Sequence, residues 1–258
     1  MKPDAIRELL RDVASGAVAP EEAFARLLDL PFEDLGFARL DHHRWARRGF
    51  PEAVFGEGKS AEDLIRILDA FASREAPCLV TRLGAEKAEV VGARCPGLTY
   101  HPRARLAYRG PEPGEGEGGV VVLSAGTSDA PVAEEAALTA RYLGARVETR
   151  FDVGVAGLHR LASVLPDLRA AHVVVAVAGM EGALPSVVAG LTGAVVIGVP
   201  TSVGFGVHDG GKTPLFAMLA SCVPGLLVVN VDGGFSAGYA AAAINRAVAR
   251  GRAGDSRA

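Results

Sequence analysis

A run of small and hydroxyl-bearing residues, SAGTSDAPVAEEA, extends from Ser124 to Ala136 and has the composition of an anion-binding turn. It follows an apolar β-like run, and its proline suits the first turn of a helix. Free amides and the positive end of a helix dipole can face a phosphate at such a turn. The pattern is neither GxGxxG nor a Walker loop, so an ordinary capped turn is the alternative. The residues that we expect to bind a nucleotide are Ser124, Gly126, Thr127, Ser128 and Asp129.

The segment DVGVAGLHR pairs His159 with Arg160 after another β-like run. An imidazole titrates near neutral pH and can transfer protons, whereas a guanidinium binds phosphate through parallel N–H groups. We therefore predict that His159 takes part in proton transfer and that Arg160 binds the substrate. A helix-terminal histidine beside a solvated arginine is the structural alternative.

Glu181 lies in the glycine-rich turn AGMEGALP, directly after the apolar run VVVAVA. A carboxylate in such a turn can accept a proton from a bound substrate, and small residues let the backbone approach a ligand closely. We predict that Glu181 is the leading proton acceptor and that Gly179 and Met180 contact the substrate. Alternatively, Glu181 only interacts with the start of the following helix.

Cys222, in LASCVPG, is one of three cysteines in the chain, the others being Cys78 and Cys95. The three form no CxxC pair, so the sequence indicates neither a disulfide framework nor a structural zinc site. A thiolate is a strong nucleophile toward an electron-poor carbon, whereas a thiol buried among apolar side chains is inert. Taken alone, the residues leave both interpretations of Cys222 open.

Basic side chains elsewhere are further candidates for binding phosphate. HDGGKTP places His208 and Lys212 in a glycine-rich loop before a helix, as an anion-binding loop would, and we predict that both contact the substrate. In the N-terminal part we interpret Arg44, Arg47 and Lys59 as phosphate or carboxylate contacts, with solvated surface charge as the alternative. The adjacent histidines of DHHR rarely converge on one ion, so we predict no metal site there.

The C-terminal part has the pattern of a doubly wound α/β domain. Five β-like runs alternate with helical segments, and the runs are apolar and rich in valine, as is typical of parallel strands covered on both faces. Ligands bind beyond the carboxyl ends of such strands, so the small residues that end the third and fourth runs predict one pocket. The predicted strands are 120–123, 146–153, 173–178, 195–199 and 226–231, and the predicted helices are 131–143, 157–165, 184–191, 214–220 and 237–250.

The segment PEPGEGEGG, residues 111–119, has no apolar side chain and predicts a boundary between two domains. We place an N-terminal module over residues 1–112 and the α/β domain over residues 119–258. The module has the pattern of a small α+β fold. Its predicted helices begin at Pro3, Pro20 and Ser60, and its predicted strands are 37–40, 79–82 and 105–108.

Composition restricts the class of protein. Of the 258 residues, 49% are hydrophobic and 22% are charged, which is typical of a globular protein. The formal net charge of −3 argues against a broad nucleic-acid surface. The apolar runs are shorter than the roughly 18 residues of a transmembrane helix, so we predict a cytoplasmic protein without membrane contact.

Together these motifs resemble a known superfamily. SAGTSD, the HR pair at 159 and 160, AGMEGALPSVVAGLT and VIGVP have the order and spacing of the PurE carboxylases, which act on 5-aminoimidazole ribonucleotide. That resemblance covers about residues 120–248 and implies a PurE-like parallel sheet. Within the superfamily, DHHRWARRGFPEAVFGEGKS and FGVHDGGKTPLFAMLASCVPGLLVVNVDGGFSAG are similar to the LarB family of nickel-pincer-cofactor biosynthesis, which extends the resemblance over nearly the whole chain.

The LarB resemblance implies a reaction on nicotinic acid adenine dinucleotide. The pyridinium ring is carboxylated and the phosphoanhydride is hydrolysed, which gives pyridinium-3,5-biscarboxylic acid mononucleotide and AMP. Carbon dioxide or bicarbonate is the co-substrate, and no tightly bound organic cofactor is expected. Mg²⁺ would assist the cleavage, although the sequence offers no clear ligand set. The resemblance also implies a homo-oligomer, by analogy an octamer, and a covalent adduct that maps onto Cys222.

The chemistry of the ring separates this reaction from its alternatives. A pyridinium carbon is electron-poor and cannot attack carbon dioxide until a nucleophile such as Cys222 has added to the ring, whereas aminoimidazole ribonucleotide is already an enamine. PurE proteins carry a histidine where this chain has Ala183, which leaves the acid–base role to Glu181 or His159. The alternatives are a PurE-type carboxylase or mutase of purine biosynthesis and a nucleotide-binding module without catalysis.

Overall fold

The computed structural model describes residues 3–28, 33–41, 44 and 49–255 of the chain, which forms two compact units, Met1–Pro111 and Glu112–Ala258. The N-terminal unit contains an α+β arrangement, as expected from its sequence. Its elements in chain order are α1 (Pro3–Ser15), α2 (Pro20–Leu28), β1 (Glu33–Asp34), β2 (Arg39–Leu40), β3 (Glu52–Phe55), α3 (Ala61–Ala72), β4 (Cys78–Thr81), α4 (Ala85–Arg94), β5 (Leu98–His101) and β6 (Leu106–Arg109).

Local sequence signals explain several of these boundaries. Helices α1 and α2 begin at prolines, and the hydroxyl of Ser60 accepts the backbone N–H of Asp63 at 3.1 Å to cap α3. Strands β3, β4, β6 and β5 form a sheet in that order, in which β3 and β4 are parallel and β6 is antiparallel to both of its neighbours. The sequence did not predict β3, β5 or α4, because these segments are short and mix charged with apolar residues.

The C-terminal unit is a five-stranded parallel sheet with helices on both faces, which confirms the predicted fold class. The strand order is β11-β10-β9-β7-β8, the doubly wound order whose direction reverses between β7 and β9. Its elements are β7 (Glu117–Ser124), α5 (Ala130–Tyr142), β8 (Ala145–Arg150), α6 (Leu158–Ala162), α7 (Leu165–Ala170), β9 (Val173–Ala178), α8 (Ala183–Ala189), β10 (Val195–Pro200), α9 (Lys212–Leu219), β11 (Leu226–Val228) and α10 (Gly234–Asp255).

The valine-rich strands supply the core of this unit. All six residues of β9 are buried, as a central strand covered on both faces requires. One face packs against α6 to α9, where Leu161, Leu184 and Met218 are buried. On the other face α5 and α10 pack closely together.

Three predicted elements end differently in the structure. The strand predicted over 146–153 stops at Arg150. The helix predicted over 157–165 is two helices, α6 and α7, because Pro166 has no backbone N–H to continue the first helix and instead occupies the first turn of the second. The strand predicted over 226–231 stops at Val228. The chain then turns, with the Gly233 N–H donating to the Asn230 carbonyl at 3.0 Å and Asp232 at a φ of 54°.

No helix within residues 3–28, 33–41, 44 and 49–255 is long and apolar enough to cross a membrane.

Candidate functional site

A cavity of about 440 Å³ lies at the carboxyl edge of the five-stranded sheet, within the range of roughly 300–1,000 Å³ for small-molecule sites. The loops that follow β7, β8, β9 and β10 form its walls, so the cavity spans the point at which the strand order reverses. The structure thus brings together seven of the predicted site residues as lining: Gly126, Ser128, Asp129, Arg160, Gly179, Met180 and Glu181.

Asp129 joins two of these loops. One of its carboxylate oxygens accepts the Thr201 hydroxyl at 2.7 Å, and the other accepts the Gly126 backbone N–H at 2.9 Å. Asp129 and Thr201 are both buried, so each satisfies a polar group that would otherwise be costly to enclose. The carboxylate therefore holds the loop after β7 against the loop after β10. Thr201 was not predicted, although a hydroxyl directly after the apolar strand VIGVP is the same kind of signal as Ser124.

Gly179 allows this connection to form. A Cβ at this position would overlap the Val203 carbonyl oxygen and lie 2.7 Å from the Thr201 hydroxyl oxygen. The position therefore requires glycine. The next residue, Met180, donates its backbone N–H to the same Val203 carbonyl at 3.3 Å and adopts a φ of 49°. The loop after β9 is fixed in this way against the loop after β10.

Arg160 lines the cavity and is oriented by a carboxylate outside the lining. Its Nη1 atom lies 2.7 Å from Oδ2 of Asp152. The backbone N–H of Asp152 in turn donates to the hydroxyl of Ser124 at 3.2 Å, and Ser124 is fully buried. Ser124 thus supports the loop that holds Arg160, and its predicted contact with a nucleotide stays a prediction. The guanidinium has five N–H donors, so the pairing with Asp152 leaves others for a ligand.

Glu181 is exposed at the cavity and has no hydrogen-bond or ion-pair partner within the described part of the chain. Ala183, which stands where PurE proteins carry a histidine, also lines the cavity. The glycine between them, Gly182, adopts a φ of 69° and packs against Pro214. The turn therefore presents a carboxylate to the cavity without an imidazole beside it.

His208 presents a buried donor next to the cavity wall. Its Nδ1 accepts the backbone N–H of Gly211 at 3.2 Å, which assigns the proton of the neutral ring to Nε2. Among the described residues Nε2 has no hydrogen-bond partner, and His208 is only 4% exposed. The ring packs over Gly204, which lines the cavity. An unpaired buried donor costs about 1–3 kcal/mol. His208 is not among the described residues that line the cavity, so its predicted contact with the substrate stays a prediction.

The remaining predicted residues of this unit lie outside the lining. Thr127 and His159 are exposed and are not among the described residues that line the cavity. Lys212 is exposed at the start of α9, with its Nζ 2.9 Å from Oδ2 of Asp209. Their roles toward a substrate stay predictions.

Cys222 is exposed in the segment between α9 and β11 and is likewise not among the described lining residues of the cavity. The two other thiols are buried in the N-terminal unit. Burial raises the pKa of Cys78 and of Cys95, the nearby carboxylates of Glu52 and Asp69 respectively adding to the effect. Both thiols therefore stay protonated at neutral pH. Cys222 is the exposed thiol among the three, and its predicted role as nucleophile stays a prediction.

Of the basic residues predicted in the N-terminal unit, two are described. Nε of Arg44 lies 3.0 Å from Oε2 of Glu52 and 3.8 Å from Oδ2 of Asp41. Nζ of Lys59 donates to the carbonyl of Phe55 at 3.5 Å. Arg47 lies outside the described residues. Their predicted contacts with phosphate stay predictions.

The cavity does not contain a ready set of metal ligands. Its carboxylates among the described residues are Asp129 and Glu181, and both oxygens of Asp129 already accept hydrogen bonds from the chain. No group of three His, Cys, Asp or Glu side chains in the described ranges is arranged to hold a metal ion. These residues therefore do not fit a Mg²⁺ ion held by the protein alone.

Comparison with known proteins agrees with this architecture. Residues 119–251 match the model of the AIR carboxylase family, and residues 32–110 match the LarB/PurE-like N-terminal domain. The uncharacterized protein MJ0165 of Methanocaldococcus jannaschii is 35% identical over 249 residues, which cover 93% of this chain and 96% of the relative.

A doubly wound sheet with a lined cavity at its reversal point, together with the AIR carboxylase match, defines a carboxylase-type enzyme of the PurE superfamily. The match of residues 32–110 to the LarB/PurE-like N-terminal domain narrows the assignment within that superfamily. The chain belongs to the LarB family within that superfamily.

Proposed function

We propose that this enzyme carboxylates the pyridinium ring of nicotinic acid adenine dinucleotide and hydrolyses its phosphoanhydride in nickel-pincer-cofactor biosynthesis. The observation that carries the proposal is the unpaired carboxylate of Glu181 at a cavity whose walls include Leu184 and Val203. A cationic aromatic ring matches a negative group beside apolar walls, because the ring is flat and apolar yet carries a positive charge.

Carboxylation needs no oxidant when a thiolate adds to the ring first. The sulfur of Cys222 forms a bond to the ring carbon adjacent to the carboxylation position, and the displaced π electrons move to the ring nitrogen. The resulting enamine carbon then bonds to carbon dioxide. A base removes the proton from that carbon, and the returning electrons expel the sulfur as thiolate. The net change replaces one ring hydrogen by a carboxylate and releases one proton.

Glu181 is our candidate for the base that removes the ring proton. It is the carboxylate of the cavity that no group of the described chain engages. Ala183, beside it, cannot compete for the proton. His159 is the alternative base, and it lies outside the lining. Such a base contributes typically 10²–10⁴-fold to a rate.

Arg160, Ser128 and His208 are suited to the phosphate and sugar oxygens of the dinucleotide. Arg160 supplies a guanidinium held by Asp152, Ser128 supplies an exposed hydroxyl at the lining, and His208 supplies the buried N–H described above. Asp129 keeps the loop that carries Ser128 in place. Gly126, Gly179 and Met180 contribute close backbone approach, while Ser124, Thr127, Lys212, Arg44, Arg47 and Lys59 stay predicted contacts.

The phosphoanhydride is cleaved by addition of water to phosphorus, which releases AMP and leaves the mononucleotide. Mg²⁺ prefers phosphate oxygens and water to an all-protein cage, so we expect it to arrive bound to the diphosphate. Arg160 would then share the phosphate charge with the ion. We further propose that the protein acts in the cytoplasm as a homo-oligomer, an octamer by family resemblance.

The test is product analysis by mass spectrometry. The full-length protein is incubated with nicotinic acid adenine dinucleotide, bicarbonate and Mg²⁺, and we expect AMP together with a doubly carboxylated mononucleotide. ¹³C-bicarbonate should add one mass unit to that mononucleotide. A parallel reaction with aminoimidazole ribonucleotide tests PurE-type chemistry. Folded protein that consumes the ribonucleotide but not the dinucleotide would overturn the proposal.

A further inference from the structure

The loop after β10 supplies one wall of the cavity through Val203, Gly204 and Phe205. The whole segment 202–207 is exposed to solvent, so it contributes no buried side chain to the core. A segment of this kind is located chiefly by its hydrogen bonds, and such segments are the ones that open most readily. The position of this wall therefore depends on the polar contacts that hold the loop.

The turn after β11 holds this loop where it leaves the sheet. The backbone N–H of Asp232 donates to the carbonyl of Pro200 at 2.8 Å. Oδ1 of the Asp232 carboxylate accepts the backbone N–H of Ser202, also at 2.8 Å. A hydrogen bond to a carboxylate is roughly twice as strong as one between neutral groups. Asp232 thus holds the chain on both sides of Thr201, the residue whose hydroxyl donates to Asp129.

The backbone of Asp232 adopts an uncommon conformation at this turn. Its φ of 54° lies in the left-handed region, which most side chains avoid and which aspartate tolerates better than most. The Gly233 N–H donates to the Asn230 carbonyl at 3.0 Å and closes the turn. Backbone conformations of this kind persist only where the surrounding structure holds them, and they cluster at functional sites. The two hydrogen bonds to the end of β10 are the contacts that this conformation makes possible.

The same turn also packs against the loop that carries His208. A Cβ added to Gly211 would lie 2.5 Å from Cγ1 of Val231 and 3.0 Å from the carbonyl oxygen of Thr201. Gly211 therefore lies closely between the ends of β10 and β11. Its N–H is the one that donates to Nδ1 of His208 at 3.2 Å. The turn after β11 thus contacts the chain from Ser202 to Gly211 at both of its ends.

We infer that Asp232 is a positioning residue for the cavity, although it is not among the described residues that line it. Its carboxylate holds Ser202, and through Ser202 it sets the position of the three lining residues that follow. The consequence for the substrate rests on the proposed function. A wall that is held in place before the dinucleotide arrives reduces the entropy lost on binding. Loss of the carboxylate should therefore raise KM more than it lowers kcat.

Two substitutions separate the carboxylate from the backbone conformation. Asp232→Gly removes the acceptor and keeps the left-handed conformation, because glycine adopts a positive φ readily. Asp232→Asn keeps an oxygen acceptor, and asparagine also tolerates this conformation. Glu75→Gly is the matched control, since Glu75 is an exposed acidic residue of the N-terminal unit with a φ of 51°. The control makes the same kind of change at a position outside the turn after β11.

Hydrogen–deuterium exchange, followed by mass spectrometry on the full-length protein, tests the inference without turnover. In Asp232→Gly we expect peptides that span residues 201–207 to exchange about tenfold faster, because a charge-assisted hydrogen bond is lost. Asp232→Asn should exchange within about threefold of the wild-type protein, and Glu75→Gly should leave these peptides unchanged. Unchanged exchange of residues 201–207 in Asp232→Gly would overturn the inference. An equal rise in every peptide of the C-terminal unit would also overturn it, since that result would show general destabilisation.

Steady-state kinetics with nicotinic acid adenine dinucleotide tests the consequence for binding. Asp232→Gly should raise KM about tenfold and lower kcat by no more than about twofold, and Asp232→Asn should recover most of the loss. A fall in kcat at constant KM, or no recovery in Asp232→Asn, would contradict the inference. If the wild-type protein does not act on the dinucleotide, the proposed function fails. The exchange of residues 201–207 then decides by itself whether Asp232 positions the wall.

Discussion

The loops of the cavity and the segment around Cys222 differ in how far their side chains are buried and hydrogen-bonded within the chain. In the cavity, Asp129 and Thr201 are buried and bonded to each other, and Gly179 leaves space for their contact. Around Cys222, the thiol and the apolar side chain of Leu219 are exposed to solvent. The loops of the first region are therefore bonded to one another within one chain, whereas the thiol of the second region is exposed above a hydrogen-bonded serine pair.

This difference separates binding from reactivity. A cavity whose loops are bonded together presents its groups in fixed positions before a ligand arrives, which favours recognition. The exposed thiol of Cys222 is not held by the same bonds. The predictions below test the two regions separately, from the largest expected effect to the smallest.

Replacing the thiol should abolish chemistry and preserve binding. For Cys222→Ala we expect carboxylation to fall by at least about a thousandfold, because the proposed mechanism takes the electron pair from this thiol. The dissociation constant of the dinucleotide, measured by isothermal titration calorimetry, should change by less than about threefold.

Cys222→Ser is the matched control, since a hydroxyl has nearly the same size but is a poor nucleophile at neutral pH. It should be as inactive as the alanine variant. Carboxylation above a tenth of the wild-type rate in either variant would remove Cys222 from the mechanism.

Removing the cavity carboxylate should also lower turnover, with a smaller effect. For Glu181→Gln we expect kcat for carboxylation to fall by about a hundredfold and KM by no more than a few fold, since the amide keeps the shape of the side chain. Steady-state kinetics with the dinucleotide measures both values. His159→Asn is the control, and a larger loss there than in Glu181→Gln would transfer the role of the base to His159.

Thr201 should affect nucleotide binding through its hydrogen bond to Asp129 and not through contact with the reacting atoms. Thr201→Val removes the donor to a buried carboxylate, which costs about 2 kcal/mol and should weaken nucleotide binding by roughly tenfold, with a smaller change in kcat. Thermal unfolding and titration calorimetry measure the two effects. Thr201→Ser keeps the hydroxyl and should restore binding. If Thr201→Ser bound the nucleotide as weakly as Thr201→Val, the loss of packing and not of the hydrogen bond would explain the effect.

The sequence predicted the layers of the C-terminal unit because each strand can be recognised from its own residues. Val173–Ala178 is apolar at every position, and a strand of that kind is stable only between two layers of helices. The small residues after it also predicted the cavity, since chain turns at the carboxyl edge of a parallel sheet share one crevice. The division of the helix predicted over 157–165 into α6 and α7 was not predicted, although Pro166 is a local signal for it.

The rest of the site depends on contacts between segments distant in the chain. Ser124 and Ser128 have the same side chain four residues apart, yet one is buried beneath the Asp152 loop and the other lines the cavity. The partnership of Thr201 with Asp129 joins positions 72 residues apart. Likewise, only the fold shows that Cys222 is exposed and is not among the described residues that line the cavity. Spacing along the chain contains none of this information.

The smallest expected effect concerns the anchor beneath the thiol. Ser186→Ala removes the hydroxyl that holds Ser221, which is partly buried, so we expect a loss of at most about 1 kcal/mol in stability. Because the cavity is untouched, KM should stay constant while kcat falls about two- to fivefold, as the thiol samples a wider range of positions. Ser186→Thr retains the hydroxyl and should recover kcat. A rise in KM with constant kcat would instead show that α8 acts on the cavity and not on Cys222, which would end the separation of the two regions.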